Sequence, residues 1–240
     1  MQFFFIRHAQ STNNAMALET GAEIGRSEDP EITETGKQQA SLLAKFLQKG
    51  DPKELKHCDD GRGNGFGITH LYCSLMLRSV QTGTIIAEQL GLPLVALERI
   101  HECGGIHLED EETGEKILLA GRSQEYFASH YPDLILPEDM IPTGWWNKRP
   151  EETREECIER ARIYLETLIG MHSGEEQRIA IISHGGFYND LLGAMLNLQN
   201  PDSTWFSLYT AAITRIDFHE EMVELVYQNR VDYLPCELIT

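Results

Sequence analysis

Short apolar runs, each a few residues long, constrain the fold of this chain more than any other feature. They cover residues 3–6 (FFFI), 68–74 (ITHLYCS), 92–100 (LPLVALERI) and 178–183 (RIAIIS). Continuous runs of this length are typical of strands buried on both faces, which belong to mostly parallel sheets covered by helices. The sequence therefore predicts an α/β fold.

Helical patterns separate these runs. Apolar residues recur at helical spacing in residues 32–50, 75–91, 150–170 and 187–198, and glycine follows or ends three of these patterns. Strand and helix alternation predicts a three-layer α/β/α architecture with a doubly wound, mostly parallel sheet. Two alternating segments near the end, residues 211–218 and 222–229, are expected to form an antiparallel hairpin at one edge. We expect a single domain over residues 1–240.

Polar residues at the strand ends indicate where a ligand would bind, because ligands of open α/β sheets bind outside the carboxyl ends of the strands. The first strand ends in Arg7 and His8, and the helix after the second carries Arg78. The third strand leads to Glu102, and the fourth ends in His184. A single histidine in such a place is usually structural, but several functional groups at one rim are difficult to explain by packing.

These residue types suit phosphate chemistry. Arginine presents a planar fork that matches phosphate oxygens, and the glycines after His184 allow backbone N–H groups to approach an anion. A neutral imidazole can attack phosphorus, while a carboxylic acid can protonate the departing oxygen. The set predicts phosphoryl transfer through a phosphohistidine.

Residues 7–14 (RHAQSTNN) resemble the R-H-G-x-[ST]-x-x-N signature of the histidine phosphatase superfamily, the phosphoglycerate-mutase-like fold. Residues 32–47, 71–93, 182–192 and 211–218 also resemble segments of that family, in the same order. Four positions depart from the usual pattern. Ala9 stands where glycine is common, Gln10 stands where many mutases carry glutamate, and Cys73 and Leu75 replace the small residue and the proline that often flank the serine of the second strand. None of these departures removes a catalytic group.

The resemblance implies a role for each matching residue. His8 would be the nucleophile, His184 would stabilise the transferring group, and Glu102 would be the proton donor, with Glu98, Glu109 and Asp110 as nearby alternatives. The expected phosphate ligands are Arg7, Asn14, Arg78 and the backbone N–H of Gly185. Family members often build specificity in a cap, so the irregular residues 103–150 are expected to form a helical cap insertion. Candidate substrate contacts are Gln10, Ser11, Arg122, Trp145, Trp146 and Arg149, although the two tryptophans could equally pack the cap.

The predicted activity is therefore a metal-independent phosphomonoester hydrolase that needs no cofactor. A phosphoglycerate-mutase-type phosphotransferase is the alternative, and a non-catalytic module that binds phosphate or phosphoproteins is a third hypothesis. Gln10 favours the phosphatase. Other chemistries fit less well, since Ser183 lacks a G-x-S-x-G elbow and the spacing of His101, Glu102 and His107 is not H-E-x-x-H.

Net charge and cysteine content limit the partners and the compartment. With 38 acidic and 20 basic residues the formal charge is −18, which argues against nucleic acid and anionic membranes as partners. The expected ligand is a small phosphorylated molecule, and a homodimer remains open. Five cysteines without a C-x-x-C pair do not resemble a secreted disulfide framework, so unpaired thiols and a cytoplasmic location are expected. No apolar run approaches the roughly 18 residues of a membrane span.

Overall fold

A seven-stranded sheet forms the centre of the protein. The computed structural model describes residues 1–21, 25–50, 65–110, 113–172, 177–198 and 203–240. Within them the strands are β1 (Gln2–Arg7), β2 (His70–Ser74), β3 (Leu94–Leu97), β4 (His107–Glu109), β5 (Lys116–Leu118), β6 (Leu134–Ile135), β7 (Arg178–Ser183), β8 (Ile213–Phe218) and β9 (Val223–Arg230). The large sheet has the order β6-β3-β2-β7-β1-β8-β9, and β4 pairs only with β5.

Strand directions agree with the predicted topology. The first five strands of this order, from β6 to β1, are parallel to one another. The last two are antiparallel: β8 runs antiparallel to β1, and β9 runs antiparallel to β8. The predicted mostly parallel α/β sheet and its terminal antiparallel hairpin are therefore confirmed. Strand β1 lies between β7 and β8. The residues that follow β1 therefore have a neighbouring strand on each side and do not lie at an outer strand of the sheet.

The helices cover both faces of the sheet. They are α1 (Thr12–Thr20), α2 (Glu34–Lys49), α3 (Leu77–Leu90), α4 (Gln124–His130), α5 (Arg154–Met171) and α6 (Gly185–Met195). Thr33 caps α2 by accepting from the backbone N–H of Gly36, and Thr153 begins α5 with a capping box. Helix α1 was not predicted, because none of its residues is buried and it therefore has no apolar stripe to recognise.

Alternate residues of β1 pack into the two sides of the core. Phe4 and Ile6 contact the cluster that includes residues of α2 and α3, among them Leu43 and Val80. Phe3 and Phe5 belong to the opposite cluster, with residues of α5 and α6. Each fully buried phenylalanine contributes about 1.5–3 kcal/mol of transfer free energy. Burial on both sides fixes β1 and thereby the position of the residues at its end.

The segment 103–150 differs from the expected helical cap. It contains the β4–β5 hairpin, the seven-residue helix α4 and strand β6, which pairs with β3 in the large sheet. Only α4 matches the helical description, and part of the segment is integral to the sheet. Strands of two or three residues are too short to show a periodicity in sequence, which explains the difference.

One expectation about the cysteines is wrong. Cys103 and Cys157 form a disulfide bond, while Cys73 and Cys236 are free. The two partners are 54 residues apart in the chain, so their spacing offers no local motif. Cys58 lies outside the described residues. Of the helices in the described part of the chain, none is both long enough and apolar enough to cross a membrane.

Candidate active site

The carboxyl ends of β2, β7 and β1 bring the predicted site residues together. The three strands are neighbours in the order β2-β7-β1, and Arg7 is paired in register with Ser183. His8 and His184 follow these two residues directly, so both histidines leave the same edge side by side. Their ring centroids are 5.1 Å apart. The parallel register thus builds the centre of the site from two distant segments.

His8 is buried and its ring has a defined orientation. Nδ1 lies 2.8 Å from the carbonyl oxygen of Ala9, and because a carbonyl can only accept, Nδ1 carries the proton. Nε2 therefore keeps its lone pair, which accepts from Nε of Arg78 at 3.1 Å. Burial, followed by the positive charges of Arg78 and Arg7, lowers the pKa of His8 well below its ordinary value. The ring is neutral and nucleophilic at Nε2.

His184 is held by Ser74 at the end of β2. Ser74 Oγ lies 2.6 Å from Nε2 of His184 and 3.4 Å from the backbone N–H of Met76. The hydroxyl accepts from that N–H and donates its own proton to Nε2, which leaves the ring proton on Nδ1. Burial, followed by nearby Arg78, lowers the pKa of His184. Nδ1 is buried without a partner among the described residues, so it is available to an anion.

Two arginines provide the positive charge of the site. Arg7 donates from Nη1 to the carbonyl of Leu208, and within the described ranges its Nε has no hydrogen-bond partner. Arg78 is partly buried, and the charges of Asp29 and Glu102 offset part of the effect of burial, which lowers the pKa of Arg78. The lowered pKa values of both arginines arise mainly from burial. Both remain cationic, since arginine does not lose its proton in proteins.

Glu102 is seated at the start of α6. Its Oε1 accepts from the backbone N–H groups of Cys103 and Phe187, both at 2.9 Å, and Oε2 accepts from that of Gly186 at 3.2 Å. A Cβ atom at position 186 would lie 2.5 Å from Oε1, so the seat requires glycine there. The charge of Glu102 acts to raise the pKa of both Arg7 and Arg78, so its carboxylate is close enough to both guanidinium groups to interact with them.

The other predicted proton donors lie in different surroundings. Glu98 pairs with Nη2 of Arg149 at 2.6 Å, and Asp110 accepts from the backbone and hydroxyl of Thr113 in a turn. The side chain of Glu109 lies outside the described part of the structure. Of the four carboxylates considered as proton donors, Glu102 is therefore the one whose position best supports that role.

Several predicted contacts have structural partners instead. Asn14 and Ser11 form the capping box of α1, in which Asn14 uses its oxygen and keeps Nδ2 available as a donor. Gln10 accepts from the hydroxyl of Thr33. The remaining predicted contacts lie as follows: Trp145 and Trp146 are buried against His101, Arg149 stacks on Trp146, Arg122 lies over the ring of Tyr126, and Gly185 begins α6.

Three residues near the site were not assigned a role from sequence. Ser74 was recognised only as a strand end, although it orients His184. Asp29 is buried and its Oδ1 accepts from the first N–H of α3 at 2.8 Å, while burial raises its pKa to about 6. Arg26 influences Arg78 electrostatically. Asp29 and Arg26 belong to an irregular polar stretch that offered no periodic signal.

One group of potential metal ligands occurs in the described residues, formed by Cys103, Cys157 and Asp190. The two sulfurs are bonded to each other, and Asp190 Oδ2 accepts from Arg154 Nη1 at 2.5 Å. A disulfide is a poor ligand because metals bind the thiolate, and the arginine occupies the carboxylate. This donor set does not fit a cation.

The geometry as a whole suits a tetrahedral oxyanion beside His8. Arg7, Arg78 and Nδ1 of His184 offer donors around the nucleophilic Nε2. Electrostatic stabilisation of this kind is the main requirement of phosphoryl transfer, because charge spreads over the equatorial oxygens in the transition state.

Comparison with known proteins identifies the family of this chain. Residues 3–231 match the family model described as the histidine phosphatase superfamily (branch 1). A relative from Hydrogenobacter thermophilus, provisionally named phosphoserine phosphatase 2, is 26% identical over 237 residues. The aligned region covers 96% of this chain and 96% of the relative. A protein of Yersinia enterocolitica named as a probable phosphoglycerate mutase, GpmB, is 25% identical over 229 residues, which cover 92% of this chain and 86% of the relative.

Two solved structures share the fold. A mycobacterial glucosyl-3-phosphoglycerate phosphatase superposes with a TM-score of 0.60 at 18% identity, covering 96% of this chain and 99% of that one. A phosphoserine phosphatase of Entamoeba histolytica, determined as a mutant with phosphoserine, gives a TM-score of 0.57 at 19% identity, covering 98% and 99%. At these identities the likeness concerns the fold.

Proposed function

Since this chain belongs to the histidine phosphatase superfamily, we propose that it hydrolyses phosphate monoesters through a phosphohistidine at His8. The observation that carries the proposal is the protonation state of His8. Its Nδ1 carries the proton and donates to a carbonyl oxygen, so the neutral ring keeps a lone pair on Nε2, 3.1 Å from Nε of Arg78. A nucleophile of this kind, placed among partly buried guanidinium groups, suits a phosphoryl group.

In the first half-reaction, Nε2 of His8 attacks phosphorus in line with the departing oxygen. Arg7, Arg78 and Nδ1 of His184 hold the three equatorial oxygens, and the backbone N–H of Gly185 and the amide of Asn14 are further proposed donors. Glu102, in its protonated form, gives a proton to the leaving alcohol. The products of this step are an alcohol and phospho-His8.

In the second half-reaction, Glu102 is the base. Its carboxylate accepts a proton from water, which attacks phospho-His8 and releases inorganic phosphate. His8 is regenerated with its Nε2 lone pair. One carboxylate serves both steps because the leaving alcohol and the attacking water occupy the same side of the phosphoryl group.

The substrate is proposed to be a small phosphorylated molecule. Arg122 is the residue best placed to meet a second anionic group, because its guanidinium is partly exposed, lies 4.8 Å from the centre of the Tyr126 ring and is 3.7 Å from Asp29. Trp145 and Trp146 are not retained as substrate contacts, since both are buried. Arg149 is not retained because its guanidinium pairs with Glu98 and stacks on Trp146. A cytoplasmic location, a single domain and a homodimer remain predictions.

A mutase is the second candidate, because a relative named as a probable phosphoglycerate mutase spans most of the chain. In a mutase, phospho-His8 would return its phosphoryl group to a bound intermediate instead of to water. Incubation with 3-phosphoglycerate and a trace of bisphosphoglycerate distinguishes the two: release of inorganic phosphate supports the hydrolase, whereas isomerisation without release supports the mutase.

The central test uses para-nitrophenyl phosphate in the presence of EDTA. Wild type is expected to turn over, His8→Ala to lose activity, and Glu102→Ala to be strongly impaired in kcat, because Glu102 is the base of the second half-reaction. Acid-labile, base-stable phosphate on His8 would establish the intermediate. No turnover of this ester or of a panel of phosphorylated metabolites would favour the binding-module hypothesis, and turnover by His8→Ala would refute the mechanism.

A further inference from the structure

We propose that the Cys103–Cys157 disulfide is a redox-controlled element that positions Glu102 for proton transfer. The inference rests on the proposed function, because the disulfide acts through the Glu102 carboxylate and does not touch the substrate. Neither Cys103 nor Cys157 takes part in the proposed reaction. Reduction of the bond is expected to weaken the acid step selectively.

The first link is the position of Cys103. It follows Glu102 directly, and its backbone N–H donates to Glu102 Oε1 at 2.9 Å. Two other donors, the N–H groups of Gly186 and Phe187, come from α6. The carboxylate is therefore held between a helix and the residue that carries the disulfide. A shift in the backbone of Cys103 therefore alters one of the three hydrogen bonds that the Glu102 carboxylate accepts.

The second link is helix α5, to which the disulfide ties the Glu102 loop. Cys157 is fully buried on α5. One turn later, Arg160 donates from Nη1 to the carbonyls of Arg99 and His101, at 2.7 and 3.1 Å. These bonds hold the chain before Glu102, whereas the disulfide holds the residue after it. Reduction removes only the second attachment, so we expect a shift of the carboxylate without loss of the fold.

The charges around the two sulfurs favour reduction in one direction. Cys103 is partly exposed, whereas Cys157 is buried with its Sγ 3.4 Å from Nη2 of Arg160. A guanidinium stabilises a thiolate, so Cys157 is the better leaving group. Asp190 Oδ2 lies 3.3 Å from Cys103 Sγ and disfavours a thiolate there. An external thiolate would thus attack Cys103 and expel Cys157.

The exchange is balanced with a small dithiol as the reductant. Its first sulfur bonds to Cys103 Sγ as the Cys103–Cys157 bond breaks, and Cys157 leaves as a thiolate. The second sulfur then displaces Cys103, so the dithiol becomes a cyclic disulfide and two cysteine thiols form after protonation. Oxidation is the reverse, with a low-molecular-weight disulfide as the electron acceptor. The free Cys103 thiol can then donate to Asp190.

The test compares two esters that differ in their need for an acid. The leaving group of para-nitrophenyl phosphate departs with little protonation, whereas the alcohol of glycerol phosphate requires a proton from Glu102. We expect dithiothreitol to lower kcat/KM for glycerol phosphate by roughly tenfold and to change kcat/KM for the aryl ester by less than about threefold, a part of what general acid catalysis supplies. The comparison uses kcat/KM because this quantity reports the first half-reaction and leaves out the water step, in which Glu102 is the base for both esters. Re-oxidation with glutathione disulfide should restore the original ratio.

Variants separate positioning from a general structural effect. Cys157→Ser should behave like the reduced enzyme and be insensitive to dithiothreitol, whereas Cys236→Ser, which removes an exposed free thiol, should respond like wild type. In Glu102→Gln, which cannot donate the proton, reduction should leave the ratio of the two esters unchanged. A thiol count in denaturant should rise by two when the oxidised chain is reduced, because one disulfide yields two thiols.

Specific results would overturn the inference. Five free thiols after treatment with glutathione disulfide would show that the bond does not form. An equal loss of kcat/KM on both esters, or a reduction effect that persists in Glu102→Gln, would show that the disulfide supports the fold and not the carboxylate. If oxidised wild type hydrolyses neither ester, the proposed function fails and the inference fails with it, whereas turnover without a change on reduction refutes the inference alone.

Discussion

Replacement of Ser74 by alanine is predicted to impair catalysis through the orientation of His184. The Ser74 hydroxyl, 2.6 Å from Nε2 of His184, keeps the ring proton on Nδ1. Without that hydroxyl, Nε2 is buried with no donor, and the proton can move to Nε2. Nδ1 would then present a lone pair to the phosphoryl oxygens, which repel it.

The expected magnitude follows from the cost of an unsatisfied buried group. Both side chains are fully buried, so water cannot replace the hydroxyl. A buried polar group left without its partner costs about 1–3 kcal/mol. If this cost falls on the transition state, where His184 stabilises the developing charge, kcat/KM decreases by about five- to 150-fold, since each 1.36 kcal/mol changes a rate about tenfold.

Ser79→Ala is the matched control. Ser79 is also fully buried, and its hydroxyl donates to the carbonyl of Ile182 at 2.7 Å and accepts from the backbone of Ser74 at 3.1 Å. It contacts neither histidine through its side chain. Urea unfolding should show comparable losses of stability in both variants, while para-nitrophenyl phosphate kinetics should show the large loss only in Ser74→Ala. The reasoning is refuted if Ser74→Ala stays within twofold of wild type, or if the control loses as much activity.

Three further predictions concern pH and packing. Because the pKa of His8 is lowered, its neutral form persists as pH falls. In the aryl ester assay kcat/KM should therefore not decline through the ordinary imidazole range, and a decline centred near pH 6.5 would contradict this prediction. Burial raises the pKa of Asp29 from 3.8 to about 6, so the folded state binds the proton more tightly and this group costs stability as pH rises through that window. By urea unfolding, Asp29→Asn should therefore gain up to about 3 kcal/mol relative to wild type between pH 4 and pH 7, and a difference independent of pH would refute it. Gly186→Ala should displace Glu102, whose Oε1 would be 2.5 Å from the new Cβ, and lower glycerol phosphate turnover by roughly tenfold; Gly170→Ala, with open space around it, is the control, and equal activity of the two variants would count against the seat.

The central part of the site could be predicted because it depends on strand order and local motifs. His8 and His184 each follow a buried strand, and parallel pairing of β1 with β7 brings them together regardless of what lies between. Arg78 lies one residue into α3, next to the end of β2. Short apolar runs and helical periodicity are visible in one sequence, and they decide these positions.

The parts that escaped prediction depend on contacts between distant, irregular segments. Asp29 comes from a stretch without periodicity and becomes important only when α3 packs over it. Cys103 and Cys157 lie on separate elements, and nothing in their spacing indicates a bond. Trp145 and Trp146 look like ligand contacts in sequence, yet they fill space next to His101. Side chains of this kind acquire partners only in the folded chain.

The hydrogen bond from Arg78 to His8 has a consequence for chemical selectivity. It occupies the lone pair of the nucleophile, so an electrophile without negative oxygens finds the imidazole already engaged. A phosphate ester offers the guanidinium a better acceptor and exchanges with it, which exposes Nε2 at the moment when phosphorus is in place. Uncharged alkylating agents make no such exchange. We therefore expect uncharged alkylating agents to modify His8 slowly while Arg78 donates to its Nε2.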